Sequence, residues 1–449
     1  GIGISAAVLY AQLTSGKPAV IISRTAAKNP AYRFEVAIKI ETNEPNVIKK
    51  GETEWYQPHG TRVEIEFKSS LSAKKRLLDY LRFTSVVNPH ARIRAQIDGE
   101  PSLYERVSEE VIACPKPIQP HPHGIELGAL LRMAAASPLP LEAFLIENFS
   151  RVGKKAATDI CKEAGLRENA KTKKLKTEEV KKLLAAMQTV KIPPPPTTQC
   201  LSPIGEDLIR QGLDKEFQPD FVKARTRPSS VYSGHPFVVE AAIGYGGKLP
   251  PEDKAQILRF ANRVPLVYQQ GACAITNAIS EVNWKQYGLS QQGLPMGPVL
   301  ILVHVASTNV PFTSESKDAV AAIPEIEKEI DLVLKELGRE MKQYLRQREK
   351  KKVQEDRARA ICSVIPEIAV KVAEIVEKPV IDTSPIEGKI MHKLVAKKRT
   401  MDGQVEVQLR NYTAQPLSLT LYDISPDAAI DASIPPAYSE QVNGDYTKV

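Results

Sequence analysis

The chain has 449 residues, 42% of them hydrophobic and 25% charged, with a formal net charge of +8 at pH 7. That is a globular composition with length for roughly three domains, and no apolar run approaches the ~20 residues of a membrane helix. The basic excess favours a polyanionic partner. The five cysteines, Cys114, Cys161, Cys200, Cys273 and Cys362, contain no CxxC pair, which speaks against a zinc site or disulfide framework and for reduced thiols in a cytoplasm.

The first residues, Gly1, Ile2, Gly3, Ile4 and Ser5, run into an apolar helical stretch over 6–13. Glycines let backbone approach an anion, and a helix start aims free N–H groups at it. The pattern reads as a phosphate-binding loop, entered part-way, although plain turns share it. Residues 19–22 form a short apolar strand. Residues 32–40 alternate through Phe34, Val36, Ile38 and Ile40, and residues 61–67 alternate as well. Residues 73–83 predict an amphipathic helix and 91–97 another strand, so a mixed sheet-and-helix domain ends near residue 112.

Residues 115–124 are proline-rich and read as a linker; His121 and His123 lack companion ligands nearby, so metal binding is not expected. Helices are predicted at 128–136, 141–148, 154–164 and 177–187, closed by a stiff spacer at Pro193, Pro194, Pro195 and Pro196. Arg151, Lys154 and Lys155 surround Gly153 at the start of the third helix. They suit a DNA phosphate or, equally, a solvated cap.

From residue 201 a second mixed region begins. Strands are predicted at 236–245 and 298–306, helices at 253–262 and 274–282, and a loop at 284–297, a spacing that suggests a βαβ crossover. Within 317–376 lies the longest helix. Ile326, Ile330, Val333, Leu337 and Met341 share one face, and from Pro324 to Pro366 it would extend roughly 60 Å. The charged run 346–359 reads as a solvated face rather than a nucleic-acid site. In the tail Val405, Val407 and Leu409 alternate, as do Leu417, Leu419 and Leu421, with Asp402-Gly403 as a turn. A small β-sandwich-like unit, continuing past Val449, is expected.

Two further features carry chemistry. Gly60-Thr61 heads an alternating strand and places a hydroxyl where a pocket can use it, or simply starts the strand. Trp284-Lys285-Gln286-Tyr287 sets a lysine between aromatics, which can hold its ammonium for a terminal phosphate or, taken alone more readily, is a surface lysine beside two packed aromatics.

Taken together, Gly1 to Tyr10 with Gln12-Leu13-Thr14, Gly60-Thr61, Trp284 to Tyr287, Phe260 to Gln269 and Val310 to Lys317 resemble the B subunits of archaeal DNA topoisomerase VI over most of the chain. The resemblance implies an α+β multidomain fold: the C-terminal part of a GHKL (Bergerat) ATPase domain (1–112), a helix-two-turns-helix domain (113–199), a βαβ transducer with a long stalk helix (200–378) and an immunoglobulin-like β unit (379–449). It implies ATP at Gly1, Ile2, Gly3, Ile4, Ser5, Thr61 and Lys285, with Lys285 meeting the γ-phosphate from the transducer, and DNA at Arg151, Lys154 and Lys155. Mg²⁺ is implied too. In the family its Asn ligand, the Glu that activates water and the Asp that reads adenine lie upstream of the glycine loop, so this chain is expected to lack them. The implied partners are a DNA-cleaving A subunit held through the stalk and C-terminal region, a second B subunit on ATP binding, and duplex DNA, in a cytoplasmic, nucleoid-associated enzyme. Two alternatives stay open: another GHKL ATPase of gyrase or mismatch-repair type, and a non-catalytic DNA-binding scaffold.

Overall fold

The computed structural model describes residues 2–42, 44–69, 73–197, 199–251, 253–401, 404–417, 422–423, 441–443 and 446–448. The chain divides into two units, Gly1–Gln343 and Tyr344–Val449.

The first unit opens with helix α1 (Ile2–Ser15), followed by strands β1 (Ala19–Arg24), β2 (Ala31–Lys39), β3 (Glu44–Thr53) and β4 (Gly60–Glu64). They form an antiparallel sheet in the order β3-β2-β1-β4. Val8 of α1 clusters with Ala19 and Ile38 of the sheet. Gln12 fixes the helix further: its amide donates to Ile38 O at 3.3 Å and accepts from Ile38 N at 3.0 Å. Strand β3 carries no sequence signal, because its residues are exposed on both faces and need no alternation.

Helix α2 (Lys74–Val87) leads into the hairpin of β5 (Ile93–Ile97) and β6 (Glu100–Tyr104). Asp98 (φ 53°) and Gly99 (φ 80°) make its two-residue turn, the left-handed pair a tight hairpin favours. Four helices come next: α3 (Leu127–Ala136), α4 (Leu141–Asn148), α5 (Lys154–Glu163) and α6 (Thr177–Thr189). Their shared core includes Leu130, Phe144, Phe149, Ile160, Leu183 and Met187. The expected linker at 115–124 is seated against this bundle. His121 Nε2 lies 3.0 Å from Pro193 O and His123 Nε2 lies 3.0 Å from Val190 O, so both rings serve backbone carbonyls.

The last part of this unit runs through α7 (Glu206–Phe217), β7 (Phe221–Thr226), β8 (Ser230–Tyr232), β9 (His235–Tyr245), β10 (Gln256–Ala261), β11 (Val264–Pro265), α8 (Ala274–Glu281), β12 (Ser290–Gln292), β13 (Leu294–Met296), β14 (Val299–Ser307) and α9 (Pro324–Val376). Its main sheet has the order β11-β10-β14-β9-β7, with β8 paired to β9. The helix predicted at 253–262 is instead β10. The short run Gln256 to Ala261 fits either period, and pairing parallel with β14, Ile257 opposite Ile301, decides it. The crossover therefore runs β10-α8-β14. Helix α7, which the sequence did not announce, joins the end of α2 and the sheet in one core through Val86, Val87, Ile209, Leu213, Phe260 and Leu302. At that crossing Gly212 leaves room for the carbonyl of Val86, and Arg82 lies 4.2 Å over the Phe217 ring.

A carboxylate and a histidine are buried together inside this core. Glu240 and His304 are both 0% exposed. His304 Nε2 accepts from Arg263 N at 3.0 Å, so Nδ1 carries the hydrogen and donates to Glu240 at 2.9 Å. Glu240 also accepts from Ile204 N and Gly205 N, each at 2.7 Å, and from Thr226 Oγ1 at 3.0 Å. Its carboxylate thus holds the two residues that lead into α7.

Helix α9 has 53 residues, about 80 Å at 1.5 Å each. Ile326, Ile330, Val333, Leu337 and Met341 are each 0% exposed, the face the spacing predicts. The helix passes Pro366 and continues to Val376. A proline interrupts one backbone bond and need not end a helix.

In the second unit α10 (Ser384–Met391) precedes the hairpin of β15 (Leu394–Met401) and β16 (Gln404–Asn411). Strands β17 (Tyr422–Asp423), β18 (Gln441–Asn443) and β19 (Tyr446–Lys448) form a separate sheet in the order β17-β19-β18. The turn Asp402-Gly403 and the residues Leu419 and Leu421 lie outside the described residues.

Burial pushes the Glu240 carboxyl up, but the His304 bond and the two backbone N–H groups outweigh it and hold the group below its usual value. A depressed folded value stabilises the protein above the ordinary carboxylate range, and that stabilisation is lost as pH falls through the lowered value. Glu240→Gln should therefore lower the unfolding free energy by about 2 kcal/mol at pH 7, the worth of hydrogen bonds to an ionised carboxylate, with the deficit shrinking below about pH 4. Urea titrations across pH check this; a deficit that does not change with pH contradicts it.

Candidate functional site

Between α8 and β12 the chain makes one turn of 3-10 helix, Trp284–Tyr287, ended by Gly288 at φ 93°. Trp284 is 0% exposed. Its indole N–H donates to Ile279 O at 2.8 Å, and its backbone N–H donates to Gln291 Oε1 at 3.0 Å. Gln291 in turn donates to Ser280 O, Val282 O and Gly293 O at 3.0–3.1 Å, so one amide ties the turn to the end of α8 and to β12. Tyr287 is 6% exposed and stands edge-on to Trp284, ring centroids 6.1 Å apart. Lys285, between these anchors, is exposed and its ammonium makes no hydrogen bond or ion pair among the described residues. The turn is held firmly and the charge it presents is free.

The turn rests on α9. Gly338 is buried, and a Cβ there would stand 2.6 Å from Cδ2 and 2.7 Å from Cε2 of Tyr287. Glycine inside a helix costs about 1 kcal/mol relative to alanine. Its φ lies outside the left-handed region, so space for the ring, not backbone conformation, requires it here. The same stretch of α9 is clamped to β7. Arg225 pairs with Glu206 at 3.0 Å, Glu336 at 3.2 Å and Glu340 at 2.5 Å, and Arg227 pairs with Glu329 at 2.8 Å. Side chains alternate along a strand, so Ala224 joins the α7 core while Arg225 meets α9. Burial opposes the Arg225 charge, but Glu340, Glu206 and Glu336 outweigh it and raise its pKa.

The structure treats the other predicted residues differently. Gly1 lies outside the described residues, and nothing is described of the Ile2 side chain. Ile2, Gly3, Ile4 and Ser5 are not a loop: they are the first turn of α1. Helical backbone from Ile2 onward leaves the N–H groups of Gly3 and Ile4 without partners within the helix, the feature that binds anions. A Cβ on Gly3 would meet nothing within 4 Å. Thr61 sits in β4, exposed, its hydroxyl 3.0 Å from that of Ser23 on β1. No hydrogen bond or ion pair of the described residues joins Lys285 to α1 or to Thr61. Arg151 (φ 61°), Lys154 and Lys155 are exposed, without ion pairs among the described residues, around the start of α5. Cations at the positive end of a helix are unfavourable unless an anion joins them.

Sequence reasoning missed Gln291, Gly338, Arg225 and Arg227. The one signal for any of them is a lone glycine in an otherwise unbroken helical pattern.

A family model described as the topoisomerase VI B subunit transducer matches residues 196–357, which take in β7 to β14 and the first part of α9. The chain is 45% identical over 447 residues to the B subunit of type 2 DNA topoisomerase 6 from Methanosarcina barkeri, covering 97% of this chain and 72% of that protein. It is 44% identical over 460 residues to the same protein of Methanosarcina acetivorans (100% and 74%) and 45% identical over 434 residues to that of Archaeoglobus fulgidus (94% and 72%). Among solved structures, the B subunit of Myxococcus xanthus DNA gyrase matches at a TM-score of 0.32 and 13% identity over 72% of this chain and 67% of that one, too slight a likeness to define the fold. These relatives place the chain among the subunits of type II DNA topoisomerases. It belongs to the family of type 2 DNA topoisomerase 6 B subunits.

Proposed function

We propose that the chain binds ATP between the first turn of α1 and Lys285, and that this contact closes two such subunits around a DNA duplex. A separate A subunit, held through the stalk helix α9 and the C-terminal region, cuts the DNA that the closed pair then passes, relaxing or decatenating it. The observation that carries this reading is the exposed ammonium of Lys285, unpaired among the described residues, on a turn anchored by Trp284. A cation held without a partner is set to meet an anion from outside.

On this reading residues 1–112 are the C-terminal part of a GHKL ATPase domain, 113–199 the helix-two-turns-helix domain, 200–378 the transducer with its stalk and 379–449 an immunoglobulin-like unit. The first turn of α1, Gly3, Ile4 and Ser5 with Gly1 and Ile2 before them, cradles the phosphates, with the backbone N–H groups of Gly3 and Ile4 turned to them, and Thr61 lines the same pocket from β4. Lys285 reaches the terminal phosphate only when the transducer turns toward the nucleotide. A charge-assisted bond present in one state and absent in the other gives ATP different affinities for the two, which is what shifts their populations. The same cation can stabilise charge on the transferring phosphoryl group. The family's ATP travels with Mg²⁺. Among the described residues no group of three or more His, Cys, Asp or Glu could hold a metal, so no step is assigned to it. Also among them, no helix is long and apolar enough to cross a membrane; a cytoplasmic, nucleoid-associated enzyme fits this use of DNA.

Duplex DNA lies along Arg151, Lys154 and Lys155. Their unpaired charges at the start of α5 support a phosphate contact that would also relieve their own repulsion with the helix dipole.

Lys285→Ala in the full-length heterotetramer should cut ATP-driven relaxation by about 100-fold or more, the usual loss of a phosphate-directed donor, with thermal stability unchanged. Relaxation at the normal rate would sink the assignment. Reversing Lys154 and Lys155 to Glu should weaken DNA binding and flatten the dependence of log Kd on log salt by about 2. An unchanged slope measured by anisotropy removes the DNA contact.

A further inference from the structure

Gly338 is the only glycine in the 53 residues of α9. It is buried on the same face as Leu334, Leu337 and Met341, which are 0–1% exposed. A Cβ there would stand 2.6–2.9 Å from Cδ2, Cε2 and Cγ of Tyr287, closer than carbon atoms approach. The ring has little freedom to retreat, being 6% exposed with Trp284 edge-on to it. Lys285 precedes Tyr287 by two residues in the same turn, whose backbone is closed by Gly288 N on Lys285 O at 3.1 Å and Leu289 N on Trp284 O at 3.3 Å. A displacement of the ring is therefore a displacement of Lys285.

We propose that Gly338 is a positioning residue for the switch lysine: the bare backbone of the stalk helix seats Tyr287, and the position of the helix along that seat sets where Lys285 stands. The inference rests on the reading that Lys285 meets the terminal phosphate. Coupling is reciprocal. A stalk fixed by its partner in one position presents or withdraws the lysine, and a lysine bound to phosphate holds the stalk at one register. The clamp of Arg225 and Arg227 to Glu329, Glu336 and Glu340 brackets the seat and limits such movement to small steps.

The test uses the full-length heterotetramer and reads kcat/KM for ATP in DNA relaxation beside the thermal midpoint. Misplacing a group by about 1 Å can cost about 100-fold, so Gly338→Ala should lose at least about tenfold. Tyr287→Leu, which empties the seat without overfilling it, should lose a few-fold. The double variant should resemble Tyr287→Leu alone, because with no ring there is nothing for the added methyl to push. A Gly338→Ala enzyme with normal kcat/KM overturns the proposal, and so does a double variant whose loss is the product of the two singles. If Gly338→Ala fails to fold, Tyr287→Leu decides, since normal ATP dependence in that variant shows that the ring does not place the lysine. Lys285→Ala measured in parallel separates the two readings: a normal Lys285→Ala enzyme removes the phosphate role, whereas an impaired one beside a normal Gly338→Ala enzyme removes only the role of Gly338.

Discussion

Trp284 is buried completely beneath the turn that carries Lys285, and its indole N–H is bound to Ile279 O at 2.8 Å. A lysine side chain loses up to about 2 kcal/mol of rotamer entropy when it is fixed on a ligand. Holding its backbone beforehand leaves only the side chain to be ordered. Gln291 adds to that hold by pairing with the turn, the end of α8 and Gly293. What reaches solvent is a single charge at a defined place, and the rest of the sheet and its helices determine where that place is.

The stalk helix is the other half of the constraint. Its seat is mainly apolar. Ile326, Ile330, Val333, Leu337 and Met341, all 0% exposed, contribute about 1.5–3 kcal/mol each as an upper estimate. The half-exposed ion pairs of Arg225 and Arg227 add about 0.2–1 kcal/mol each. Apolar burial therefore holds the helix on, while the arginines favour particular carboxylates and so select its register. Gly338 stands within this stretch, where a change of register is felt by Tyr287. Within the sheet Glu240 and His304 tie β9, β14 and the segment leading into α7 together, beneath the platform for the turn.

Much of this is legible in the sequence where one face of an element is buried. Strands β1 and β2, the four helices between residues 127 and 189, and the inner face of α9 all follow from apolar period. The lysine turn stands out only beside the other motifs, because two aromatics flanking a lysine in a loop are as readily a surface lysine next to two packed rings. Three kinds of feature are hidden. Strand β10 is short and buried on both faces, so Gln256 to Ala261 has no alternation to separate it from a helix. Strand β3 is exposed on both faces and has none either. Gln291 and Gly338 act by filling or vacating space against distant residues, and single-chain periodicity does not record such contacts. The opening glycines read as a loop in the sequence. In the structure Ile2 to Ser5 are the first turn of α1, since one glycine, Gly3, does not prevent a helix whose following residues favour one.

If Lys285 and the start of α1 share one phosphate, they come together only when nucleotide binds. Spin labels at Leu13, exposed on α1, and Gln286, exposed in the lysine turn, report that approach as a distance in the full-length heterotetramer with the exposed Cys114 replaced. A non-hydrolysable ATP analogue should shorten that distance and narrow its distribution. An unchanged distance at saturating analogue would contradict a nucleotide-driven closure.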